Sequence, residues 1–388
     1  MPSLLPGNRI TLLETGDAYF PALQAEIDAA REEIHLEAYI FADDPAGRCI
    51  AAALARAARR GVAVRLLVDG FGARNLLPPL RAILEPAGVH IQVFRPERGF
   101  LPLRRSRLRR MHRKLAVIDG RIGFCGGINV VDDRDGDPTA RPRLDYAVRV
   151  EGPVVAQMHD AVRRLWQLVA WTRGGRRPGP RMQRCPALPP FQDGMLAAFL
   201  LRDSFGHRRD IEDAYLEAIG RATRDVLIGS SYFLPGRRFR RALRDAAARG
   251  VRVRLVLQGK REYFWVHHAT RALYGSLVAA GIEVHEYVAA YFHAKVAIVD
   301  DRWATVGSSN IDPLSLLVAR EANIVVEDPP FAAELRDSLE RAMAGGALIV
   351  REELWARQPW PDRALAWAAY FLARVALGVT GYARGEFL

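Results

Sequence analysis

The sequence predicts an α/β chain made of two tandem copies of one unit, with a single site assembled between them. Three observations carry that reading. The pattern H-x-K-x4-D-x6-G-[GS]-x-N occurs twice, from His112 to Asn129 and from His293 to Asn310. Longer stretches repeat around it: Ala57–Gly70 (AARRGVAVRLLVDG) matches Ala246–Gly259 (AAARGVRVRLVLQG), and Glu33–Phe41 (EIHLEAYIF) resembles Asp225–Phe233 (DVLIGSSYF). Within each copy the order reads strand, helix, strand, helix, strand, then the motif strands, as in an α/β half with a largely buried sheet.

Taken in order, the stretches 46–60 and 236–249 carry Ala, Leu and Arg at helical spacing and stop at Gly61 and Gly250, where a left-handed residue ends a helix without steric cost. Pro86-Ala87-Gly88-Val89 and Ala279-Ala280-Gly281-Ile282 mark the approach to the next strand in each copy. Leu115-Ala116-Val117-Ile118 and Val296-Ala297-Ile298-Val299 have no polar alternation and read as strands buried on both faces. Asp119-Gly120 and Asp300-Asp301 read as the turns that follow. Residues 172–190 (TRGGRRPGPRMQRCPALPP) are the expected linker, giving halves at 1–171 and 191–350. Residues 98–110 mix arginines with Phe100, Leu101, Leu103 and Leu108 and are expected to form a membrane-facing loop at the site mouth. Within 351–388, the stretch 363–379 is almost wholly apolar but short and broken by Arg374, and is expected to act as an interfacial anchor.

The duplicated motif describes a phosphodiester site. Side chains two apart on a strand share a face, so His112 projects with Lys114 and His293 with Lys295. An imidazole supplies a nucleophile or an acid/base near neutral pH. Ammonium groups, with the amides of Asn129 and Asn310, suit non-bridging phosphate oxygens. The chain has 56 Lys and Arg residues, yet its only lysines are Lys114, Lys260 and Lys295. Two of those three stand in the motifs, where a compact charge does not interchange with a planar guanidinium. Aligning Leu144-Asp145-Tyr146 with Arg320-Glu321-Ala322 pairs Asp145 with Glu321 as matched acids.

A formal net charge of +12 implies an anionic partner, either nucleic acid or a membrane of acidic lipids. Cys49, Cys125 and Cys185 are spaced for neither zinc nor a disulfide framework and fit a reducing compartment. No Walker loop or zinc pattern occurs. Met1–Pro6 lacks the charged and apolar regions of a secretion signal, and no run reaches the roughly 18 uninterrupted apolar residues of a spanning helix.

The repeated motif resembles the HKD signature of the phospholipase D superfamily. Leu4–Asp17, Arg110–Asp119, Asp145–Pro153 and Ala304–Ser315 are similar to bacterial cardiolipin synthases of the shorter B type. The resemblance implies two phospholipase D-like α/β/α sandwich halves about a pseudo-twofold axis, with the active site at their interface. It implies metal-independent phosphatidyl transfer through a covalent phosphohistidine, with no cofactor. His112, Lys114, Asp119, His293, Lys295 and Asp300 form the two catalytic sets. Lys114, Asn129, Lys295, Asn310 and Ser308 hold phosphate, Ser308 being matched by Gly127 in the first copy. Asp145 and Glu321 orient the histidines, while Asp119 and Asp300, beyond the buried strands, hold the local fold.

The implied reaction joins two phosphatidylglycerol molecules into cardiolipin and releases glycerol. His112 is the nucleophile on the superfamily's common pattern, and Tyr232 lies in a segment resembling one near the site. The implied partner is an anionic phospholipid on the cytoplasmic face of a bacterial inner membrane, where the chain sits peripherally. No nucleic acid is expected, and no obligate protein partner is readable. Two alternatives remain open: a phospholipase D-type hydrolase or HKD nuclease, and a non-catalytic basic protein that binds membrane or nucleic acid.

Overall fold

A computed structural model describes residues 3–74, 77–96, 109–172, 188–203, 206–351 and 359–379. Among these, fifteen strands form one continuous sheet. The first half supplies β1 (Leu5–Glu14), β2 (Glu33–Ala38), β3 (Ala63–Asp69), β4 (His90–Phe94), β5 (Lys114–Ile118), β6 (Ile122–Gly126) and β7 (Tyr146–Glu151). The second supplies β8 (Met195–Arg202), β9 (Asp225–Ser230), β10 (Arg252–Gln258), β11 (Glu283–Tyr287), β12 (Lys295–Val299), β13 (Trp303–Gly307), β14 (Glu321–Glu327) and a short edge strand β15 (Ala347–Ile349). β1 and β8 pair antiparallel at the centre. Outward from that seam the order is β7-β6-β5-β2-β3-β4 on one side and β14-β13-β12-β9-β10-β11 on the other. The same unit is therefore laid down twice, mirrored in strand order about the seam.

Each half has a parallel part and an antiparallel part. β2, β3 and β4 run parallel, and Pro45–Arg59 is the crossover helix between β2 and β3. That helix starts on Asp44, whose carboxylate accepts the Gly47 N–H, and ends before Gly61 at φ +92°. β5, β6 and β7 form a meander. Its first turn places Asp119 and Gly120 at φ 49° and 60°, and the second copy places Asp300 and Asp301 at 52° and 53°. Few residues besides Gly, Asn and Asp tolerate that region.

The apolar motif strands are buried on both sides, as the sequence predicts. Leu115 and Val117 join one core, while Ala116 and Ile118 join the core on the opposite face. Val296 and Ile298 enter the same shared core as Leu115, and Ala297 and Val299 enter the second half's own. The shared core runs across both halves beneath the helices Val154–Thr172 and Pro329–Gly346. Each fully buried Val, Leu or Ile contributes about 1.5–3 kcal/mol, so a charge at any position of either strand would disrupt the layer that position faces.

The α/β/α layering agrees with the expected fold class. Most of the expected linker (173–187) and of the Arg-rich loop (97–108) lies outside the described residues. The apolar segment 363–379 falls within a helix, Trp360–Val379, that packs Ala366, Ala369 and Tyr370 into the second half's core. No described helix is long and apolar enough to cross a membrane.

Candidate active site

Each motif histidine is placed by backbone fastenings on either side of it. The last residue of β3, Asp69, accepts the Met111 N–H at 2.9 Å, and the last residue of β10, Gln258, accepts the Phe292 N–H at 3.1 Å. Both fix the residue just ahead of a histidine. The His112 N–H then donates to the Arg320 carbonyl at 2.9 Å, and the His293 N–H to the Leu144 carbonyl at 2.8 Å. Each histidine segment of one half is thus pinned beside the segment that opens the acid-bearing strand of the other.

That crossing decides the pairing of acids with imidazoles. His112 Nδ1 lies 3.0 and 3.2 Å from the Glu321 oxygens, and His293 Nδ1 lies 2.6 Å from Asp145 Oδ2. Both carboxylates are buried. A carboxylate on Nδ1 fixes the tautomer and leaves Nε2 for chemistry. The two expected acids are both brought to the histidines, each from the opposite half.

The remaining polar groups gather around them. Lys114 Nζ donates to the His112 carbonyl at 2.7 Å, and Lys295 Nζ donates to the His293 carbonyl. Lys295 Nζ also lies 2.8 Å from His293 Nδ1 and 3.7 Å from Asp145, but only the carboxylate can accept a proton from Nδ1. Asn129 Oδ1 accepts the Ile40 N–H and Asn310 Oδ1 accepts the Ser231 hydroxyl, so each amide keeps its NH2 as donor. Ser308 donates to Glu321 at 2.5 Å and accepts the Ala322 N–H. Its hydroxyl faces the His112-orienting acid. At the matching position, a Cβ on Gly127 would stand 2.2 Å from Asp145 Oδ1, which is why that copy has no side chain. Asn129, Arg143, Asp145 and His293 line one cleft with Gly16 and Asp133.

Asp119 and Asp300 stand apart from this cluster. Across the length of a motif strand they are about 16 Å from the lysine end. Asp119 accepts the N–H groups of Arg31, Glu32 and Glu33, and Asp300 accepts those of Thr223, Arg224 and Asp225. Each ties the meander turn to the start of β2 or β9.

Burial controls the electrostatics. It pushes the Lys114 ammonium down to about 7 and that of Lys295 down to about 8, against the pull of Glu321 and Asp145. His112 is lowered by burial, with Glu321 acting the other way. His293 is lowered to about 3 by burial and by Lys295, opposed by Asp145. For Asp145, burial would raise the carboxyl, but Lys295 and His293 together hold it below its ordinary value. These directions favour neutral imidazoles and weakly held lysine protons.

Several contributors carry no obvious mark in the sequence. The Tyr39 ring meets His112 edge-on at 4.8 Å, with Lys114 Nζ 5.4 Å from that ring. Arg113 forms a buried ion pair with Glu37 beside the first histidine; Ala294 and Gly229 occupy those positions in the second copy. Asp69 and Gln258 are aligned within the repeated fourteen-residue stretches, the signal that could have found them. Away from the site, Glu33 bonds His159 at 2.6 Å, His35 at 3.3 Å and Arg65 at 2.9 Å. The second half has Asp225 bound to Arg336 and Arg254 in the same place, so this node ties a helix to the strand edge.

The model described as "Cardiolipin synthase, PLD-like domain" matches residues 23–166 and 215–343. Cardiolipin synthase B of Salmonella typhi is 40% identical over 364 residues, covering 91% of this chain and 85% of the relative. The protein of that name from Escherichia coli K12 is 39% identical over the same shares. Cardiolipin synthase A of Pseudomonas putida is 33% identical, over 87% of this chain and 70% of the relative. Among solved structures, phosphatidylserine synthase of Haemophilus influenzae superposes with a TM-score of 0.73 at 13% identity, over 98% of this chain and 97% of the other. That likeness concerns the fold alone.

Proposed function

The chain belongs to the cardiolipin synthase family of phospholipase D-like enzymes, and from that premise we propose how its two histidines share one lipid phosphate. It is a phosphatidyltransferase with phospholipid substrates, and it associates with membranes. The observation that supports the two-histidine reading best is the crossed pairing of His112 with Glu321 and His293 with Asp145. Each Nδ1 is committed to a carboxylate of the opposite half, leaving two Nε2 atoms for chemistry.

His112 Nε2 attacks the phosphorus of a phosphatidylglycerol. The bond from phosphorus to the glycerol oxygen breaks, and His293 gives that oxygen a proton. A phosphatidyl-His112 intermediate and free glycerol result. The terminal hydroxyl of a second phosphatidylglycerol then attacks the same phosphorus, His293 takes its proton, and the P–N bond breaks to release cardiolipin. Lys114 and Lys295, with the amides of Asn129 and Asn310, hold the non-bridging oxygens, and Ser308 supports that group by holding Glu321. Burial and Lys295 lower His293, and a bound phosphate anion acts the other way, so His293 takes up its acid proton from solvent as substrate binds. The enzyme works peripherally on the cytoplasmic face of the inner membrane.

The test incubates purified protein with labelled phosphatidylglycerol vesicles and separates the products. Cardiolipin with equimolar glycerol is expected. Phosphatidic acid as the sole product would make the protein a hydrolase, because water would then be the acceptor.

A further inference from the structure

We propose that the helices Phe264–Arg271 and Trp360–Val379 form one folded platform that seats the molecule on an anionic phospholipid bilayer, with the cleft mouth beside the contact. The inference rests on the lipid substrate proposed above and adds which surface meets the lipid.

The last described helix is not a loose tail. Ala366, Ala369 and Tyr370 are buried in the second half's core, which also takes Ala269 and Ala272 from the end of the shorter helix. Much of what the pair leaves outside is apolar: Trp265 is 56% exposed, Trp367 56%, Phe371 66% and Leu372 53%. Tyr263 and Phe264 extend the same surface. Single exposed apolar residues are ordinary, but a cluster on two packed helices marks a contact surface. Trp and Tyr favour the boundary between headgroups and acyl chains, and a helix with one face in the protein core and an apolar face exposed lies in that boundary.

Charge favours lipid over a second protein copy. Lys260, Arg261 and Arg363 are exposed beside the patch, with Asp362 as an exposed acid. These cations suit acidic headgroups. An isologous dimer would bring two net-positive patches together, which disfavours self-pairing.

The patch also leads to the site. The Tyr263 ring is 5.8 Å from Tyr232, and the Tyr232 hydroxyl donates to Glu262 at 2.8 Å. Glu262 lies 3.8 Å from Arg143, which lines the cleft with His293. A headgroup lifted slightly from the bilayer therefore meets the phosphate site while its acyl chains stay in lipid.

The experiment compares wild type with a Trp265→Ser, Trp367→Ser, Phe371→Ser triple variant. It measures flotation with phosphatidylglycerol/phosphatidylcholine vesicles and turnover of phosphatidylglycerol in detergent micelles. We expect vesicle binding to drop by about tenfold or more and micellar turnover to stay within about twofold, since the variant side chains lie outside the site. Inactivity of the wild type in micelles would instead count against the reading of function. In wild type, tryptophan fluorescence should be quenched by vesicles carrying brominated acyl chains, a readout independent of the variant's folding. Unchanged flotation, no quenching, or loss of self-association in place of vesicle binding would overturn the proposal.

Discussion

His293 Nδ1 sits 2.6 Å from Asp145 Oδ2, so an imidazole of the second half is oriented by a carboxylate of the first. His112 and Glu321 repeat the relationship in the other direction. Neither half supplies both members of either pair. Replacing the acceptor oxygen with an amide should leave the fold intact but allow the wrong tautomer. Asp145→Asn and Glu321→Gln are each expected to lower kcat by on the order of 10²–10⁴-fold, with unfolding transitions near wild type. A loss confined to KM would show that these acids act on substrate binding only.

Gly127 and Ser308 occupy matched positions in opposite situations. A methyl group at 127 would collide with the Asp145 carboxylate, so Gly127→Ala must displace the group that orients His293. Its kcat should fall as far as that of Asp145→Asn. Ser308→Ala removes one donor to Glu321 without adding bulk, and a hydrogen bond to a charged group is worth about 1.5–3 kcal/mol. Steady-state kinetics of both variants would reveal the asymmetry; equal effects would contradict it.

The lysines give the site a pH dependence of defined sign. With Lys114 near 7 and Lys295 near 8 in the free protein, a bound phosphodiester raises both values, and binding takes up protons between the free and bound values. Affinity is therefore highest below this window and declines as pH rises through it. Calorimetry with glycerophosphoglycerol, in two buffers of different ionisation enthalpy, should report proton uptake from roughly pH 7 upward; proton release would contradict the assignment. Without ligand, the unfolded chain binds more protons, so these lysines make folding more favourable as pH rises from about 7 toward the ordinary lysine value near 10.4.

Asp69 and Gln258 hold backbone, not substrate. Asp69→Asn keeps an acceptor for the Met111 N–H, whereas Asp69→Ala leaves that buried donor unpaired, at a cost of about 1–3 kcal/mol. Thermal unfolding should show Asp69→Ala clearly less stable than Asp69→Asn. Asp300→Ala should likewise reduce stability, since three backbone N–H groups lose their acceptor, while kcat of the folded fraction stays near wild type. A kcat collapse in folded Asp300→Ala would place that residue in the chemistry.

Much of this architecture is legible in the chain itself. The unbroken apolar runs after Lys114 and Lys295 announce strands covered on both faces, and the repeat announces two equivalent halves. The α/β/α layering and the role of the paired acids come through resemblance. Which acid serves which histidine is not legible, because aligning Asp145 with Glu321 is unchanged by exchanging the halves. Asp69 and Gln258 are hard to see because they differ chemically, and what they share is one acceptor oxygen aimed at a backbone N–H. The stretch 363–379 is apolar nearly all round, so its composition cannot tell the core-facing side, with Ala366 and Tyr370, from the outward side, with Phe371 and Leu372. That division needs the neighbouring helix.

The most direct test of the shared site is cardiolipin synthesis by His112→Ala and His293→Ala, each measured alone on phosphatidylglycerol. If one phosphate is worked on by both rings, either substitution should reduce turnover by roughly a thousandfold or more, as expected for residues that act as a unit. If either variant kept about half of wild-type turnover, each half would carry its own site, and the two-histidine mechanism would be wrong.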